Sequence, residues 1–173
     1  KTRLELRPIL KACGNGSSEL MSNISSSFVS MLYNFQLMRF AGEDGVSAYG
    51  VLMYVQFIFV AIYVGYAVGS APIVGFHYGA KNHDELKNLL RKSTLLMASS
   101  GVVLTILAMV LAGPLAKIFV GYDQGLYDLT RHAFRVFAYS FLLAGFNIFA
   151  SSFFTALNNG AVSAAISFLR TLI

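Results

Sequence analysis

The chain has 173 residues, 56% of them hydrophobic and only 12% charged, with 13 Lys and Arg against 8 Asp and Glu. A soluble domain carries about 25% charged residues, so this composition excludes an ordinary water-soluble globule and points to a surface that faces lipid. The one cysteine, Cys13, excludes an intrachain disulfide.

Asp, Glu, Lys and Arg are missing from 20–38, 45–80, 93–116 and 136–169. A membrane span needs about 20 mostly apolar residues, and each stretch is near or above that length. A charge at the centre of a span costs roughly 2.5–3.5 kcal/mol on the insertion scale. Four such windows in one short chain predict an all-α, polytopic transmembrane helix bundle. Residues 1–19 are basic but lack the apolar core and cleavage site of a signal peptide. The chain opens on Lys1 and ends inside an apolar run, which reads as a piece of a longer protein.

In chain order, Pro8 is expected to interrupt any helix over 1–12. Gly14-Asn15-Gly16-Ser17-Ser18 reads as a helix start, with Ser17 or Ser18 as N-cap. A serine-rich first span follows over about 18–40, closed by the loop Gly42-Glu43-Asp44-Gly45. The second span begins near Val46, and its uncharged stretch reaches Ala80. As one straight helix, 45–80 measures about 54 Å, against a hydrocarbon core of about 30 Å. It must therefore overhang, tilt or bend. Gly65, Gly69 and Pro72 are the predicted hinge, giving a helix over about 46–70 and a bent extension to about 79. Asn82 and Glu85 have capping-box spacing and open the next helix, with acids early and Lys87, Arg91 and Lys92 later, as suits its dipole. The third span covers about 93–113 and is expected to stop at Gly113-Pro114. Residues 114–126 read as a loop, with a short interfacial helix over PLAKIF as an option. The fourth span covers about 127–157, Asn158-Asn159-Gly160 turns, and a fifth begins at Ala161.

Basic residues set orientation. Lys1, Arg3, Arg7 and Lys11 lie before the first span and Lys81, Lys87, Arg91 and Lys92 before the third. The other two connections hold only Arg39 and Lys117. This alternation places 1–12 and 81–92 in the cytoplasm. Arg131 and Arg135 blur the last connection, and snorkelling to the headgroups accounts for both.

Polar side chains inside spans cost free energy to bury, so they mark candidate sites. Glu19 is the one carboxylate near the apolar part of the first span and shares a helix face with Asn23. The pair is the ion-coupling candidate for H⁺ or Na⁺, with a helix cap as the plainer role for Glu19. Asn34, Gln36, Tyr54, Gln56 and Asn147 are candidates to line a substrate cavity, against interhelical hydrogen bonding or packing. Tyr49, Tyr63, Tyr66 and Tyr139 could offer π faces to flat cations or simply pack. His77 reads as an interfacial residue. The sequence has no phosphate-binding glycine loop, zinc-type Cys/His cluster or paired nucleophile and base. It therefore predicts no catalytic residues, no metal, no organic cofactor and no enzyme. Positive charge confined to membrane-flanking loops speaks against nucleic acid.

Ala71-Pro72-Ile73-Val74-Gly75 followed by Tyr78-Gly79-Ala80-Lys81-Asn82 and Leu86-Lys87 resembles a signature of multidrug and toxin extrusion (MATE) transporters. Val46-Ser47-Ala48-Tyr49-Gly50 and Ala156-Leu157-Asn158-Asn159-Gly160 are similar to that family too. The resemblance implies a multi-pass protein of a bacterial cell membrane, with twelve spans in two six-helix lobes. This chain would be most of one lobe, the second by its SFLRTLI ending, partnered by the remaining lobe of the same polypeptide and by the bilayer. It further implies export of small organic cations by an H⁺- or Na⁺-coupled antiporter working by alternating access. A coupling carboxylate is often found deeper on the first helix of that lobe, where this sequence has Asn23. A lipid-linked precursor or polysaccharide flippase of related architecture, or a non-transport membrane enzyme or structural subunit, are the alternatives. The flippase would need cavity cations, and here Arg39, Arg131, Arg135 and Arg170 lie mostly at span ends.

Overall fold

The computed structural model describes residues 6–172; within that range the side chains of Glu19 and Arg170, among others, lie outside the described residues. Five helices follow in order: α1 (Leu6–Gly79), α2 (His83–Val120), α3 (Gln124–Ala138), α4 (Phe141–Ala156) and α5 (Gly160–Leu172). Asn23–Gly79 and His83–Val120 are long and apolar enough to cross a membrane, and α3 with α4 make a third span if the pair is taken together. The all-α membrane architecture expected from the charge-free windows is what the chain adopts.

α1 has two arms, 6–41 and 43–79, that meet at Gly42, its one residue with non-helical dihedrals (φ 63°, ψ −153°). That region of φ/ψ space is open essentially to glycine alone. The expected four-residue loop is thus a single-residue break. Gly45 packs tightly beside it: a Cβ there would lie 2.6 Å from that of Ala41. The start of α1 differs from expectation as well. Pro8, expected to interrupt a helix, lies within the first described turn of α1. Ser17 does not cap the helix but donates back to the Gly14 carbonyl at 2.7 Å. The second arm stays helical through Gly65, Gly69 and Pro72 to Gly79, so the expected change of path near 70 is not a break in helical dihedrals. Ser70 and Ser152 both donate to the Ala67 carbonyl, at 3.1 and 3.2 Å, one turn before the proline. The carbonyl that Pro72 leaves without its helical N–H is the next one, that of Val68.

The turns after α1 and α4 share one design. Lys81 (φ 56°) and Asn158 (φ 58°) adopt the left-handed conformation. The next residue's N–H reaches back to close the helix, Asn82 to the His77 carbonyl and Asn159 to that of Phe154, both at 2.9 Å. Each asparagine then caps the following helix through its side chain, accepting from Glu85 N at 3.2 Å and from Val162 N at 3.4 Å. The capping role expected for Asn82 is therefore present, and Asn159 repeats it. At the opposite end Asp123 caps α3 by accepting from Leu126 N at 3.0 Å.

α2 does not stop at Gly113-Pro114 but runs on to Val120. The proline removes one backbone bond, to the Val110 carbonyl. Ala116 and Val120 are buried beyond it, and their packing holds the last turns in register. The expected loop over 114–126 shrinks to 121–123. The fourth expected span is also not one rod: α3 and α4 meet at a 50° bend. Tyr139 and Ser140 keep right-handed dihedrals there. The chain tightens through Ser140 N to Phe137 O and Leu142 N to Tyr139 O, at 2.9 and 3.2 Å. With neither glycine nor proline at 139–140, nothing local in the sequence announces the bend.

The core lies between the second arm of α1, α2 and α4. Ala48, Val51, Leu52, Val55, Phe59 and Tyr63 recur every three or four residues on one face and pack with Met97, Leu104, Phe141 and Phe149. α2 presents a seam of small buried residues: Gly101, Ala108, Ala112 and Ala116. Lipid tails are as apolar as these side chains, so association rests on close packing and interhelical hydrogen bonds.

Candidate functional site

The bend between α3 and α4 is the most elaborately supported point of the bundle. The Ala138 carbonyl, deprived of the N–H that Leu142 gives to Tyr139, accepts from Thr105 Oγ1 of α2 at 3.2 Å. The Phe141 carbonyl accepts from Tyr63 Oη of α1 at 3.0 Å. Two glycines make room for this. A Cβ on Gly101 would press on the backbone of Phe141 and Leu142 at 3.2–3.3 Å, and one on Gly145 would lie 2.6 Å from Tyr63 Cε1. The broken helix is thus seated in α1 and α2 by hydroxyl donors, the condition under which irregular backbone persists at membrane depth.

A second polar cluster joins α4 to α5. Ser151 Oγ lies 2.9 Å from Ser163 Oγ and 2.8 Å from Ser167 Oγ, while Thr155 Oγ1 lies 2.7 Å from Ser163 Oγ and donates to the Ser151 carbonyl. All three serines are buried. Tyr66 and the fully buried Ser93 pair at 2.7 Å between α1 and α2. Sequence reasoning weighed amides and acids and missed these hydroxyls. The readable signal was Ser151/Thr155 and Ser163/Ser167, two pairs at i,i+4 on either side of a turn, each one helix face.

The sequence-derived site residues are spread along the helices. The side chain of Glu19 lies outside the described residues. Asn23 is exposed, and its carbonyl accepts from Ser27. Asn34 is half-buried and donates to the Ser30 carbonyl at 2.9 Å, a bond within its own helix. Gln36 is exposed, while Gln56 and Asn147 are half-buried. Tyr54 is 69% exposed and lies parallel to Phe119 at 6.5 Å between ring centroids. It lines an open groove of about 750 Å³ with Gly50, Met53, Phe57, Ile58 and Phe119. None of the amide candidates lines that groove. Tyr63 and Tyr66 pack in the bundle rather than facing a cavity, and Tyr49 stacks on Tyr33 at 6.0 Å. His77 is half-buried near the end of α1, its Nδ1 without a hydrogen-bond partner among the described residues. Among the described residues no three His, Cys, Asp or Glu side chains gather to hold a metal ion.

Long apolar helices with a broken helix held by its neighbours' hydroxyls make a helical bundle of membrane type. Residues 20–173 match the MatE family model, and the chain belongs to the MatE family. It is similar to a protein named probable multidrug resistance protein YoeA of Bacillus subtilis (strain 168), 23% identical over 157 residues, covering 85% of this chain and 34% of that protein. A crystal structure of MATE in complex with MaL6 superposes with a TM-score of 0.86 at 21% identity, covering 96% of this chain and 38% of that one. The chain thus spans about a third of the length of these relatives.

Proposed function

We propose that the protein to which this chain belongs exports small organic cations as a multidrug antiporter of the cell membrane. H⁺ or Na⁺ enters in exchange, and access alternates between the two sides. The observation that carries this reading is membership of the MatE family across residues 20–173. The multidrug resistance name of a relative supports the substrate class. In this reading the chain works against a second lobe of the same polypeptide, with 1–12 and 81–92 in the cytoplasm.

Glu19, one helical turn from Asn23, is the proposed coupling group, because a lone carboxylate near an apolar span is the natural titrating group. Asn34, Gln36, Tyr54, Gln56 and Asn147 are the proposed cavity residues. Gly65, Gly69 and Pro72 are the proposed flexible segment, and the extra donors on the Ala67 carbonyl fit a helix that has to accommodate movement there.

Dye efflux by the full-length protein, with ionophores, tests the proposal. Collapsing both the H⁺ and Na⁺ gradients is expected to abolish efflux; efflux indifferent to both overturns coupling. Glu19→Gln is expected to remove the gradient-driven component at normal expression. Wild-type rates in that variant would return Glu19 to the role of a capping or headgroup-level residue.

A further inference from the structure

The α2–α3 seam carries a second groove, of about 360 Å³, lined by Met109, Val110, Arg135, Val136 and Tyr139. Its walls are apolar except for the Arg135 guanidinium and the Tyr139 hydroxyl. One turn toward the 121–123 connection, Arg131 borders α2 in the same way: its Nε would lie 4.0 Å from a Cβ on Gly113. Arg131 and Arg135 are four residues apart and share a helix face. Neither makes an ion pair or hydrogen bond with another described side chain. Of the acids at this end, Asp123 caps α3, Asp128 accepts from Gln124 Nε2 at 3.5 Å, and Glu43 and Asp44 stand exposed at the joint of α1.

Depth decides what can neutralise these two charges. The charge-free run of α2, 93–116, measures about 36 Å as a helix, slightly more than a hydrocarbon core of about 30 Å. Gly113, and with it Arg131, falls at the boundary of the core. Met109 and Val110, and with them Arg135, fall roughly one turn inside it. A guanidinium at that depth turns toward the headgroups and takes an anion from that layer. The apolar trough running inward from it has the chemistry of a fatty-acyl chain.

We propose that Arg131 and Arg135 clasp the phosphate of an anionic phospholipid while the groove between Met109, Val110, Val136 and Tyr139 holds the first part of one acyl chain. The inference rests on the membrane placement of the helices and not on the direction or coupling of transport.

Lipid retention by the purified full-length protein tests it, read by native mass spectrometry during titration with phosphatidylglycerol or phosphatidylcholine. Wild type is expected to retain phosphatidylglycerol in preference to phosphatidylcholine, and R131Q/R135Q to weaken that retention about thirtyfold, the effect of two basic residues on an anionic headgroup. R131K/R135K, which keeps both charges, is expected to retain the preference, separating charge loss from misfolding. Val110→Trp, which fills the trough, is expected to weaken retention with both arginines in place. Equal retention of the two lipids by wild type, or an undiminished preference in R131Q/R135Q, overturns the proposal. So does displacement of phosphatidylglycerol by millimolar inorganic phosphate, which would make the pair a site for free anions.

Discussion

The two arms of α1 are both poor in charge, four charged residues in the first and two in the second, yet live in different surroundings. In the second arm Ala48, Val51, Leu52, Val55, Phe59, Tyr63, Ala67, Ser70 and Val74 are buried, one side of a helix pressed into α2 and α4. In the first arm no described side chain is buried: Ser25, Val29, Ser30, Asn34 and Leu37 are half-covered, and Met31, Phe35 and Phe40 stand 72%, 70% and 80% exposed. Hydrophobicity alone therefore does not tell which apolar helix belongs to the core. In lipid, an apolar face needs no cover; small residues and hydroxyls that permit close approach decide what packs. The second arm has those partners in Gly101, Gly145 and Thr105, and the first arm has none described.

The contrast can be broken experimentally at several points. The largest expected effect is at Gly145. Gly145→Val places carbon where the Tyr63 ring already sits, and overpacking of this kind costs about 1–3 kcal/mol, at the upper end here because two helices must separate. Thermal unfolding in detergent should show a clear fall; an unchanged midpoint would mean that the seat of Tyr63 is not tight. Next come Thr105→Val and Tyr63→Phe, which remove the hydroxyls on the Ala138 and Phe141 carbonyls. Interhelical hydrogen bonds in membranes average about 0.6 kcal/mol and reach about 1.7. Thr105→Val should lie toward the higher figure, because the Leu142 N–H is already committed to Tyr139. Equal effects of the two changes would argue against a special need at the bend. Smallest is the first arm, where Phe35→Ala should alter the stability of this bundle by no more than about 0.5 kcal/mol. A larger loss in the full-length protein than in this chain would show that the first arm gains its partners from outside the bundle.

The membrane class, the interruption after residue 41 and the cap at Asn82 were legible in the sequence, and Asn158-Asn159-Gly160 was legible as a turn but not as a cap. Each is written locally: in missing charges, in glycine where only glycine fits, in a polar residue before an apolar run. The continuation of α2 past Pro114 was not, because it depends on Ala116 and Val120 meeting neighbours distant in the chain. The bend at 139–140 was not, because its causes are Thr105 and Tyr63 on other helices. Of the aromatic candidates, Tyr54 stands exposed beside an open groove, whereas Tyr63, an equal aromatic by sequence, serves as a buried donor. Asn34 shows the limit of counting amides, since its Nδ2 is satisfied one turn back by the Ser30 carbonyl.

Gly42 has a mechanical consequence. A Cβ there would meet nothing within 4 Å, so glycine is required by torsion and not by space. The direction in which 6–41 departs is thus set by the torsions of one residue, with the Ala41–Gly45 contact and the Tyr33–Tyr49 stack beside it. That arm is roughly 54 Å long at 1.5 Å per residue, so a swing of about ten degrees carries its far end roughly 9 Å. Gly42 is the fulcrum of a long lever, and alanine, strained at φ 63° and ψ −153°, would redirect the arm while leaving the packed contacts of the core in place.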